Sequence, residues 1–125
     1  MDAQTIETLV DAYLAAYCEP DRTTRERAVA RLWADGGRLV DPPLQASGHA
    51  AIVAQSDALL AQFPGHRFRR TTQIDSHHDF ARYGWALADA AGHAVLEGCD
   101  VAELSADGRL QRVIGFFGAP VKIAA

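Results

Sequence analysis

Between residues 4 and 18, Ile6, Leu9, Val10, Tyr13, Leu14 and Tyr17 recur at the spacing of a single helix face. Pro20 stops that helix. Thr23 followed by Glu26 reads as a capping box, because hydroxyl and carboxylate can satisfy each other's free amides. The helix it opens sets Val29, Leu32 and Trp33 on one side and stops at Gly36-Gly37. Arg38 to Asp41 is too short for a helix and runs into Pro42-Pro43, so it reads as a short strand. Ser47 then caps a third helix with Ile52, Leu59, Leu60 and Phe63 on its apolar side, closed by Pro64-Gly65.

After Gly65 the period changes from helical to alternating. Phe68, Arg70, Thr72 and Ile74 share one face of a strand, and Arg67, Arg69, Thr71 and Gln73 share the other. Asp75 to Asp79 forms a turn or strand end. A second long strand over 80–90 carries Tyr83, Trp85 and Leu87 on one face, and a third runs from about 94 to 104. Asp107-Gly108 is a hairpin signal leading into a last strand through Val113, Ile114, Phe116 and Phe117. Helices first and strands after predict an α+β fold, three N-terminal helices packed on one face of a curved antiparallel sheet.

Composition narrows the function. The 125 residues suit one domain spanning 1–125, and 49% hydrophobic with 22% charged residues is ordinary for a globular chain. Sixteen acidic against twelve basic residues leave a net charge of −4, which removes the electrostatic footprint of nucleic-acid binding. No apolar run is long enough to span a membrane and no leader pattern opens the chain, so the expectation is a cytoplasmic protein. Cys18 and Cys99 lack metal-ligand spacing. His77 and His78, adjacent on an extended chain, point to opposite faces and cannot readily chelate together, so no metal is expected.

The order of elements resembles the NTF2-like superfamily, which includes ketosteroid isomerases and SnoaL-like polyketide cyclases. The local cues are Leu32-Trp33-Ala34-Asp35 leading to Val40-Asp41-Pro42, and Gly48-His49-Ala50-Ala51-Ile52 opening the third helix. Gly98-Cys99-Asp100-Val101, Asp107-Gly108-Arg109 and the ending Gly115-Phe116-Phe117-Gly118 complete them. The resemblance implies a cone-shaped pocket between helices and sheet. It implies cofactor-free proton transfer next to the carbonyl of a small hydrophobic ligand, with Asp41 as base. Tyr13 and a protonated Asp100 would stabilise the enolate oxygen, following the logic of a carboxylic acid kept neutral so that it can donate a hydrogen bond. Cyclisation of a polyketide, or a non-catalytic role as a ligand-binding or dimerisation domain, fits the same architecture. Opening an epoxide would need an Asp-Arg-Asp set around a water, for which Arg82 and Asp100 are available members.

Each candidate also has an ordinary reading. Asp41 is placed equally well to start the turn at the prolines. Asp100 is a donor if it points inward and a solvated carboxylate if it points outward; its neighbours on the same face, Gly98 and Ala102, leave space for a ligand. Tyr13 and Tyr17 sit on the apolar stripe of the first helix, where aromatics commonly serve as core, and Asp100 is a candidate partner for a buried hydroxyl. Tyr83, Trp85 and Leu87, with Val113 and Phe117 on the last strand, either line the pocket or fill the core. Ile114 and Phe116 give the outer sheet face an apolar character that suits a homodimer.

Overall fold

The computed structural model describes residues 2–124. Helices α1 (Ala3–Tyr17) and α2 (Arg22–Leu32) lead into strands β1 (Trp33–Val40) and β2 (Gln45–Ser47), followed by helix α3 (His49–Gln62). Strands β3 (Arg67–Arg70), β4 (Asp75–His77), β5 (Phe80–Ala88), β6 (Ala94–Leu104) and β7 (Leu110–Phe117) complete the chain. The sheet order is β2-β1-β7-β6-β5-β3, with β4 also pairing β5. The expected three helices on a sheet are present, and the apolar face of α1 (Ile6, Val10, Tyr13, Leu14, Tyr17) is buried as its spacing requires.

The sheet is mixed rather than wholly antiparallel, because β1 runs parallel to β7. A parallel pair needs a long crossover, and α3 with the whole meander supplies it. Helix α2 ends at Leu32, and Trp33 already belongs to β1, so Gly36-Gly37 lie inside a strand instead of terminating a helix. Register with β7 is broken between Trp33 and Arg38, the kind of irregularity that small residues accommodate. The cap of α2 is Asp21, whose carboxylate accepts from the Thr24 backbone N–H (2.9 Å), in place of a Thr23–Glu26 box. Ser47 ends β2, paired with Arg38, and Gly48 with φ 86° takes the cap position of α3.

The strand expected over 67–74 stops at Arg70, and β4 begins only at Asp75, in the segment expected as a turn or strand end. At the break, Thr72 Oγ1 accepts from the Gly84 N–H (2.8 Å), so a side chain replaces a ladder bond. The helices are tied together by Arg25, a buried cation whose guanidinium donates to the Glu19 carbonyl (2.9 Å), Ser56 Oγ (2.7 Å) and the Asp57 carboxylate. Pairing of this kind, with a carboxylate and two neutral acceptors, is what makes a buried arginine tolerable. The core lies between helices and sheet, with Val10, Trp33, Ile52, Tyr83, Leu87, Leu110 and Val113 fully enclosed. Among the described residues, no helix is long and apolar enough to cross a membrane.

Candidate functional site

At the end of the sheet where β1 stops, the helices and strands diverge around a cavity of about 410 Å³. That size is within the range of small-molecule pockets. Helix α1 contributes Tyr13 and Tyr17, α3 contributes Gln55 and Leu59, and the strands contribute Phe68, Trp85, Asp100, Gly115 and Phe117. Asp41 closes one side, in the turn that leaves β1. The aromatic rings form a continuous edge-to-face belt, Tyr13 to Tyr17 (6.1 Å), Tyr17 to Phe68 (5.4 Å), Phe68 to Trp85 (5.3 Å) and Trp85 to Phe117 (6.1 Å). Among the described residues, none lining the cavity is Lys, Arg or His.

Strand register sets the two carboxylates in one row. Asp100 on β6 pairs with Gly115 on β7, and Val40 on β1 pairs with Ile114, so Asp41 comes alongside Gly115 from the other direction. Gly115 is the gap between them. A Cβ there would lie 3.0 Å from Asp100 Oδ1 and 3.6 Å from Asp41 Cβ. Any bulkier residue would fill the space between the acids.

Asp100 points inward and is 6% exposed. Its Oδ2 accepts from the Tyr83 hydroxyl (2.9 Å) and its Oδ1 from the Trp85 indole N–H (2.9 Å). Tyr83 stands directly opposite on β5; Trp85 stands opposite Gly98, and a Cβ at Gly98 would strike the indole ring. Gly98 therefore lets the indole lie across β6 and reach Asp100. Burial pushes the Asp100 carboxyl up to about 7, against the pull of both donors and with help from the negative charge of Asp41.

Asp41 is half-buried, and burial raises it above the usual carboxylate range, opposed by the Leu44 N–H (3.1 Å to Oδ1) and the Gln55 amide (2.9 Å to Oδ2). It serves the turn as well, exchanging backbone hydrogen bonds with Leu44, so the turn and pocket readings both hold. Burial together with the charge of Asp100 drives Tyr13 well above its ordinary value, and Tyr17 is raised by burial and by Asp41. Both tyrosines stay neutral and can act as hydroxyl donors.

Six of the residues singled out from sequence meet at this cavity: Asp41, Tyr13, Asp100, Tyr17, Trp85 and Phe117. Three are not on its wall. Tyr83 lies beneath Asp100 as its hydrogen-bond donor, while Leu87 and Val113 are fully enclosed in the core. The donors to Asp100 come from β5, not from Tyr13, because the cross-strand neighbours are closer than the helix. Arg82 projects from the opposite face of β5 and pairs with Asp75 (2.8 Å), so it does not join Asp100 in an Asp-Arg-Asp set. Sequence reasoning missed Gln55 and Gly115. Gln55 had a signal, a polar side chain three residues after Ile52 and four before Leu59 on an otherwise apolar stripe. The role of Gly115 depends on strand pairing alone.

No family model matches the chain, and no curated protein matches it. Solved structures do. A SnoaL-like protein of Agrobacterium tumefaciens, proposed to be an isomerase, is 36% identical, with a TM-score of 0.87 over 93% of this chain and 99% of that one. A proposed SnoaL-like polyketide cyclase of Jannaschia is 15% identical, with a TM-score of 0.72 over 91% of this chain and 85% of that one. A de novo designed protein with a curved β-sheet reaches a TM-score of 0.71 at 12% identity over 94% of this chain and 88% of that one, which shows how little the fold alone says about chemistry. The Agrobacterium match runs through nearly the full length of both chains: the protein belongs to the SnoaL-like family and has the NTF2-like fold.

Proposed function

We propose that this protein transfers a proton next to the carbonyl of a small, uncharged hydrophobic compound without a cofactor. The observation that carries the reading is the row Asp41–Gly115–Asp100, two carboxyl groups of different poise facing one aromatic-lined cavity. Asp41, partly solvated and held by two N–H donors, is the base. It removes the proton from the α carbon, the C–H electron pair moves into an enolate, and negative charge gathers on the carbonyl oxygen. Asp100, which holds its proton up to about neutral pH, supplies a hydrogen bond to that oxygen. The Tyr13 hydroxyl is a second donor at the same wall. Return of the proton from Asp41 to a different carbon completes an isomerisation.

The 36% identical relative is itself a proposed isomerase, which supports this reading. The belt of ring edges supports a second one, in which a flat multi-ring substrate forms the same enolate and its carbon attacks an internal carbonyl, as in a polyketide cyclisation. Both begin with proton removal by Asp41, so one experiment tests them. Solvent deuterium exchange at the α carbon of a panel of hydrophobic ketones, followed by NMR, should be accelerated by the wild type. Asp41→Asn should slow it by about 10³-fold with the fold intact. Exchange at the wild-type rate in that variant would remove Asp41 from the role.

A further inference from the structure

We propose that Gln55 is a positioning residue for Asp41, one that fixes the direction of the carboxylate by a hydrogen bond from α3; the inference rests on the reading of Asp41 as the base. Gln55 is 7% exposed in the middle of α3, with Ile52 one turn before it and Leu59 one turn after. Its Nε2 lies 2.9 Å from Asp41 Oδ2, while Asp41 Oδ1 is held from the other side by the Leu44 N–H at 3.1 Å. One bond from the turn leaves a carboxylate free to rotate about its last torsion. A second bond from a different element stops that rotation.

The choice of an amide has a chemical reason. Burial against the Tyr13 and Tyr17 rings and the apolar walls favours the neutral form of Asp41, and only the Leu44 N–H and the Gln55 amide oppose it. Without the amide, the Leu44 N–H alone would oppose burial, and the balance would move toward the neutral acid. A guanidinium or ammonium in place of Gln55 would secure the charge but lower the pKa of Asp41 by roughly 1–3, the effect of a close opposite charge. The neutral amide favours the ionised carboxylate more gently. Gln55 and Tyr17 line the same cavity.

The test reads Asp41 directly and so does not depend on turnover. Carbonyl-labelled wild-type protein and the variants Gln55→Met and Gln55→Asn are titrated by carbon NMR. Gln55→Met keeps the volume and loses the donor; Gln55→Asn keeps an amide one methylene too short to reach. Both should raise the Asp41 midpoint by about half to one pH unit. In the ketone exchange assay the acidic limb of the pH profile should move up with it. The saturating rate should fall by about tenfold and KM should change little. An Asp41 midpoint unchanged in folded Gln55→Met and Gln55→Asn protein overturns the inference. A raised midpoint with exchange indifferent to Asp41→Asn instead overturns the role of Asp41 and leaves the Gln55 contact standing.

Discussion

Burial and hydrogen bonding pull the Asp100 carboxyl in opposite directions. Two donors favour its charge, desolvation opposes it, and the negative charge of Asp41 adds to desolvation, so that its pKa rises from 3.8 to about 7. The folded value exceeds the unfolded one, so between those values the native state holds a proton that the unfolded chain has released. The contribution of Asp100 to stability is therefore undiminished near pH 4, falls as the pH rises, and levels off above pH 7. Between those limits the slope approaches roughly 1.4 kcal/mol per pH unit. Asp100→Asn should flatten that decline in urea unfolding curves measured from pH 4 to pH 8. Its carbonyl can accept from Trp85 and its amide can donate to the Tyr83 hydroxyl, so the variant should gain stability at pH 8 while losing the acid. A decline of equal slope in the variant would place the buried proton elsewhere.

At the scale of elements, what sequence discloses depends on whether a signal is local. The stripe on α1 and the alternation on β5 are local, and both appear in the structure as their periods require. The parallel pairing of β1 with β7 is not local, since nothing in Arg38-Leu39-Val40 states which distant strand it will meet. The row Asp41–Gly115–Asp100 follows from that pairing, which is why the two acids were legible singly and the glycine between them was not. Gly98 is a similar case: its lack of a side chain matters only because Trp85 is seated across from it. Gly98→Ala should push the indole off Asp100 and crowd β7, costing about 1–3 kcal/mol. The Asp100 midpoint should rise further with one donor lost, which carboxyl NMR would read, and an unmoved midpoint would show that the indole N–H contributes nothing to its poise.

On the molecule as a whole, the sheet has an outer face that no helix covers. Val40, Ile114 and Val101 form one cross-strand row on it, with Phe116 (59% exposed) and Cys99 in the next. Charged residues border this stripe: Arg38 and Arg112 lie toward one end of the strands, where Arg112 pairs with Glu103 (3.0 Å), and Glu97 lies toward the other. A two-fold axis through the stripe would lay the apolar rows of two copies on each other, the isologous arrangement of a symmetric dimer. The expected partner is therefore a second copy of this chain, with the cavities facing away from the contact. Sedimentation velocity on the wild type should give a dimer at micromolar concentration. Ile114→Glu, which sets a carboxylate in the middle of the stripe, should give a folded monomer with the Asp41 and Asp100 titrations unchanged, because its side chain lies on the face opposite the cavity. A wild type that sediments as a monomer throughout, or an Ile114→Glu protein that stays dimeric, would rule out this face as the contact.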